Sequence, residues 1–124
     1  MRNHLLVIDD EPSIGHLIAL IGQKTGLTVT HATEGLEGIH LARLEGPDVI
    51  LVDLFLWGKM DGWETIERIK QDKALQHIPV IAITSVGDLD HAYEMGCDGA
   101  ILKPFTPARF SSYLSRFLEV APVA

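Results

Sequence analysis

Two adjacent carboxylates, Asp9-Asp10, follow the apolar run Leu5-Leu6-Val7-Ile8, and a third, Asp53, follows Val49-Ile50-Leu51-Val52. Further along, Thr84-Ser85 closes Val80-Ile81-Ala82-Ile83, and Lys103-Pro104 closes Ala100-Ile101-Leu102. Each acid, hydroxyl or amine thus stands at the end of a short aliphatic run. Carboxylates brought together repel one another and raise their own pKa values. A hard divalent cation removes that penalty, and Mg²⁺ (or Mn²⁺ in its place) takes oxygen ligands of this kind, usually one or two carboxylates with waters and phosphate oxygens. An aspartate in such a setting can attack phosphorus and form an acyl phosphate. The cation and an ammonium such as Lys103 would offset the charge on the phosphoryl oxygens. A hydroxyl such as Thr84 could then bind one of those oxygens and report the modification.

For these groups to meet, the aliphatic runs must lie side by side and point the same way. The spacing supports this. Compact runs of Leu, Ile and Val without polar alternation are expected of strands covered on both faces. Between them lie segments of helical period. Pro12 suits a first helical turn, and Ile14, Leu17, Ile18 and Ile21 form one face, with Gly26 as a stop. A second strand over Leu27 to His31 precedes a helix opening at Thr33 or Glu34, with Leu36, Ile39 and Leu44 expected to face inward and Gly46-Pro47 ending it. Asp61-Gly62 opens a third helix with Trp63, Ile66 and Ile69. A short fourth helix is expected from about Asp88 to Met95, stopping at Gly96. Thr106-Pro107 reads as an N-cap with proline in the first turn, ahead of the stripe Phe110, Tyr113, Leu114, Phe117 and Leu118. Strands alternating with helices imply right-handed crossovers and a doubly wound parallel α/β sheet. Ligands of such sheets gather at the carboxyl ends of the strands, where the acids, hydroxyl and amine stand.

Composition narrows the function class. The 124 residues suit one domain, and 47% hydrophobic content is enough for a real core. The formal net charge of -7 argues against direct nucleic-acid binding, which calls for a basic surface. The apolar N-terminal run turns polar by Asp9, too soon for a signal peptide or membrane insertion. A single cysteine, Cys97, allows no internal disulfide, so a cytoplasmic location is the expectation. Pro122 could begin a tether, but the tail beyond it is short.

The stretches Val7-Ile8-Asp9-Asp10-Glu11, Asp48 through Leu54, Met60-Asp61-Gly62, Ile83-Thr84-Ser85 and Lys103-Pro104-Phe105 resemble the receiver (CheY-like) domain of two-component response regulators. The resemblance runs from Leu5 to Leu118, and its motifs fall in the right order on the right elements. It implies a flavodoxin-like fold of five strands in the order 2-1-3-4-5 with five helices. It implies one receiver domain over 1–124, with a core over about 4–119. Asp53 would be the phosphoacceptor. Asp10 would bind Mg²⁺ directly, Asp9 largely through water, and Asp53 and the backbone carbonyl of Phe55 would complete the protein ligands. Thr84 and Lys103 would contact the phosphoryl group, and the Lys103-Pro104 bond would be cis. The implied partners are a sensor histidine kinase or histidine phosphotransfer protein as donor and a downstream protein as target. The domain would promote its own aspartyl phosphorylation and dephosphorylation without being a turnover enzyme.

The sequence departs from the family in three places. The loop from Leu54 to Gly62 carries an extra residue, with Trp57 where proline is usual; Trp57 would either cover the site or face a partner. The segment from Thr84 to Lys103 is short, so the fourth helix or its leading loop must be abbreviated. Ala100 stands where an aromatic ring is usual, so a switch in which that ring follows the hydroxyl inward cannot operate in the usual way. Phe55 and Val86 flank the expected phosphorylation site with apolar side chains, which would hinder an attacking water.

Taken singly, these residues have plainer readings. Asp9-Asp10 could cap a helix, Lys103 could be a surface lysine, and Thr84 an ordinary hydroxyl before a helix. Their company favours the functional reading. Cys97 reads as a small core residue, Trp63 as partly buried, and the six histidines as surface or packing residues. Two alternatives stand beside the leading one. A phosphorylation-independent (pseudo-receiver) interaction module would fit the long loop and Ala100. A Mg²⁺-dependent phosphatase would want an acid two residues after its nucleophile, where this chain has Phe55.

Overall fold

The computed structural model describes residues 2–56, 58–85 and 89–121. Trp57, Val86, the expected start of the fourth helix at Asp88, and Pro122 lie outside them. The elements alternate: β1 His4–Ile8, α1 Pro12–Thr25, β2 Thr28–Ala32, α2 Gly35–Glu45, β3 Val49–Asp53, α3 Gly62–Gln71, β4 Val80–Thr84, α4 Leu89–Glu94, β5 Gly99–Leu102 and α5 Pro107–Leu114. All strand pairs are parallel, in the order β2-β1-β3-β4-β5.

The aliphatic runs are explained by what covers them. Leu6, Ile8, Ile50, Val52, Val80 and Ala82 face one side, packing with Ile39, Ala42, Ile66, Ile69 and Cys97. Leu5, Val7, Leu51, Ile81, Ile83 and Ile101 face the other, packing with Ile18, Ile21, Phe110 and Leu114. Along β3, β4 and residues 5–8 of β1 neither face meets water, so alternation of side chains leaves no polar positions before the strand ends. Each fully buried Leu or Ile contributes about 1.5–3 kcal/mol of hydrophobic stabilisation.

The helix ends follow local rules. Gly26 and Gly46 end α1 and α2 in the left-handed conformation, at φ 80° and 59°. The side chain of Asp61 caps α3 by accepting the Glu64 amide, and that of Thr106 caps α5 by accepting the Arg109 amide.

Three elements differ from the sequence expectation. Leu36 and Leu44 are exposed, at 49% and 69%. The buried face of α2 is Gly35, Gly38, Ile39 and Ala42; on a 3.6-residue period Leu36 and Leu44 fall to its side and rear. The glycines let α2 close on Ile8 and Thr65, where a Cβ would collide. The last helix ends at Leu114, and the chain continues in turns that still bury Leu118. The second strand is shifted one residue onward, running from Thr28 to Ala32. The long loop after β3 is anchored by Leu56 and Met60, which are 6% and 5% exposed and join the core.

Candidate functional site

The parallel order brings the carboxyl ends of β1, β3, β4 and β5 to one rim. Asp9 and Asp10 follow β1, Asp53 ends β3, Thr84 ends β4 and Lys103 follows β5. Asp9, Asp10, Asp53 and Lys103 stand together there. Asp9, Asp10 and Asp53 each offer a carboxylate oxygen within 4.8 Å of the others. Lys103 Nζ lies 3.0 Å from Asp9 Oδ2 and 3.3 Å from Asp53 Oδ2. Thr84 is fully buried, and its carbonyl accepts the Lys103 amide at 2.7 Å, tying the ends of β4 and β5 together. The Lys103-Pro104 peptide is cis.

A cleft of about 370 Å³ opens over these groups, lined by Asp10, Glu11, Asp53, Phe55, Ser85 and Lys103. Backbone amides orient two of the acids from within their own loops. The Glu11 amide donates to Asp9 Oδ1 at 2.9 Å, and the Phe55 amide donates to Asp53 Oδ1 at 3.0 Å. Phe55 is itself 54% exposed and forms one wall.

The electrostatics are those of an acid-rich pocket around one ammonium. Burial pushes the Asp9 carboxyl above its ordinary pKa; the Glu11 amide and Lys103 oppose the rise and the Asp53 charge adds to it. Burial works to lower the Lys103 pKa, but Asp9, Asp53 and Glu11 outweigh it and hold the ammonium above its usual value. Asp9 Oδ2 is buried and receives no well-directed hydrogen bond, although Lys103 Nζ stands close. A buried carboxylate oxygen left in this way, beside two more acids, fits a hard oxygen-seeking cation.

Two contributors are not evident from motif spacing. Glu11 Oε1 lies 3.3 Å from Lys103 Nζ, so a third acid shares that ammonium with Asp9 and Asp53. The signal for it is its place directly after the acid pair. His31, expected among surface or packing residues, directs Nε2 at the backbone carbonyl of Asp9, 2.7 Å away. Strand order alone could have suggested this, since β2 runs beside β1 and its end must lie next to the acid pair.

Known proteins share both sequence and fold. The family model for the response regulator receiver domain matches residues 5–115. The polar-differentiation response regulator DivK of Brucella ovis is 31% identical over 121 residues, 95% of this chain and 98% of its own length. The DNA-binding dual master transcriptional regulator RpaA of Synechocystis is 34% identical over 104 residues, 82% of this chain but 43% of its own length. The chain thus spans less than half of the latter. Among solved structures, the chemotaxis protein CheY4 of Vibrio cholerae superposes with a TM-score of 0.85 at 26% identity, covering 95% of this chain and 100% of its own. The receiver domain of a sensor histidine kinase from Pseudomonas aeruginosa, solved with a magnesium ion coordinated in its active-site cleft, superposes at 0.83 with 25% identity over 94% of this chain and 98% of its own. Motif order, strand order and both kinds of likeness agree: this chain belongs to the response regulator receiver domains of two-component systems.

Proposed function

We propose that Asp53 accepts a phosphoryl group from a phosphohistidine on a sensor kinase or phosphotransfer protein, and that the modified domain alters its grip on a downstream protein. The observation that supports this most directly is the Lys103 ammonium lying 3.3 Å from Asp53 Oδ2 at the floor of an open cleft. With its Oδ1 held by the Phe55 amide, Asp53 is steadied for attack by Oδ2. A bond forms between that oxygen and phosphorus as the bond to the donor imidazole nitrogen breaks, and the imidazole leaves with the electron pair. Lys103 then faces the new phosphoryl oxygens, and Thr84, on the adjoining strand end, supplies the hydroxyl that binds one of them.

Asp9, Asp10, Asp53 and the Phe55 carbonyl are the groups that would hold Mg²⁺ (or Mn²⁺). Bound there, the cation would neutralise charge on the phosphoryl oxygens. The chain's own acids, by contrast, repel an incoming phosphate, and Lys103 is shared among Asp9, Glu11 and Asp53. The same reading assigns a cytoplasmic site of action, supported by the unpaired Cys97, and no turnover of a separate substrate. It involves neither direct nucleic-acid contact nor membrane insertion: the chain is acidic, and among the described residues no helix is long and apolar enough to cross a membrane.

The test is intact-mass measurement after incubation with Mg²⁺ and acetyl phosphate or phosphoramidate. The wild-type chain is expected to gain one phosphoryl group and Asp53→Asn none. A wild-type mass that does not change would leave the phosphorylation-independent interaction module as the better reading.

A further inference from the structure

We propose that His31 is a positioning residue for the metal-binding acids, acting through the peptide that joins Asp9 to Asp10. The inference rests on the metal reading above. His31 lies on β2 in register with Val7, and the sheet continues one step further, where the Asp9 amide donates to the Ala32 carbonyl at 3.0 Å. Among the described residues the Asp9 carbonyl has no strand partner of that kind. It accepts from His31 Nε2 at 2.7 Å. A carbonyl oxygen can only accept, so Nε2 carries the proton. The backbone of Asp9 is thereby held on both sides, by β2 through its N–H and by the imidazole through its C=O.

This matters because the carbonyl of Asp9 and the amide of Asp10 share one rigid plane. Fixing the carbonyl fixes the direction in which the chain leaves for Asp10. Asp9 Oδ1 is meanwhile held by the Glu11 amide, leaving Oδ2 toward Asp53 and Lys103. Without the imidazole, the 9–10 peptide could rotate and the two carboxylates would no longer be presented together.

An independent feature of α1 points to the same contact. Gly15 is buried in the interior of a 14-residue helix, where alanine is the more favourable residue. A Cβ there would run into the His31 ring at Nδ1, Cε1 and Cγ. The bare helix backbone at Gly15 leaves the space in which the imidazole lies, so Gly15 and His31 act as a pair.

The experiment measures Mg²⁺ affinity by calorimetry on the full chain, with the urea midpoint as a separate readout of folding. His31→Leu keeps bulk but removes the N–H. It is expected to weaken Mg²⁺ binding by about tenfold, the low end for groups that orient metal ligands. His31→Gln, whose amide can place an N–H near the position of Nε2, is expected to restore most of that loss. Gly15→Ala should weaken Mg²⁺ binding in the wild-type background and have no further effect in His31→Ala, where the ring is gone. Wild-type Mg²⁺ affinity in His31→Leu would overturn the proposal, as would His31→Gln binding no better than His31→Leu. A wild-type chain that takes up no Mg²⁺ would overturn the metal reading itself, an outcome distinct from either.

Discussion

The amide of Ala100 on β5 donates to the phenol oxygen of Tyr113 on α5 at 2.9 Å. Because β5 is an edge strand, that amide has no strand on its outer side to bond with. The ring also lies over Gly99, where a Cβ would collide with the phenol. Where the resemblance leads one to expect an aromatic ring, this chain has Ala100 and brings a ring in from α5. Tyr113→Phe keeps the ring and removes the acceptor. It is expected to cost about 1 kcal/mol, read as a lower urea midpoint, with Mg²⁺ affinity unchanged.

Asp9 makes the metal-free fold sensitive to pH. Its carboxyl is raised by burial, so in the window between its ordinary and raised pKa the folded chain binds more protons than the unfolded one. Its contribution to stability is therefore full below the ordinary value of 3.8 and declines as pH rises through that window. Above that window the burial of the ionised carboxylate opposes folding. Asp9→Asn is expected to raise the urea midpoint in EDTA at pH 7 and to abolish any increase on adding Mg²⁺. A lower midpoint in EDTA would show instead that the ion pair with Lys103 outweighs the burial.

Gly62 couples α3 to the site. A Cβ at this position would meet the Asp53 carbonyl oxygen and the Leu54 Cα, both of them backbone. Neither can move without displacing the end of β3. Gly62→Ala is expected to cost about 1–3 kcal/mol by overpacking and also to slow acetyl phosphate labelling of Asp53. Unaltered labelling at an unaltered midpoint would mean that α3 can shift without dragging the strand end.

Phe55 is expected to protect the acyl phosphate. Its half-exposed ring walls the cleft beside Asp53, where a hydrolytic water must approach. Phe55→Asn should shorten the lifetime of the phosphorylated form; an unchanged hydrolysis rate would rule the idea out.

Cys97 is 6% exposed, and burial pushes its thiol up to about 11. The thiolate is the reactive form, so iodoacetamide at pH 8 should leave the folded chain unmodified and label it in urea. Stability should fall as pH climbs from the ordinary 9.0 toward that raised value, because only the unfolded chain ionises freely there.

Much of this was legible in the residues alone. Sheet faces covered on both sides leave unbroken aliphatic runs, so Leu5 to Ile8, Val49 to Val52 and Val80 to Ile83 were readable as strands, and the polar groups ending them as neighbours. What escaped was set by contacts between distant segments. Leu36 and Leu44 looked inward-facing until the small residues Gly35, Gly38 and Ala42 proved to be the packing face. His31 and Tyr113 carry no local signature; each acquires its role from another element, 22 and 13 residues away.

The order of the sheet also divides the site by how readily its parts loosen. Asp53 and Thr84 end two inner strands and Asp9 follows the third, while Lys103 follows the border strand, beside the six-residue α4. Brief local openings begin where neighbours are fewest. In such an opening the amine swings away first and the acids stay behind, and amide hydrogen exchange should therefore run faster around residues 99–103 than around 50–53.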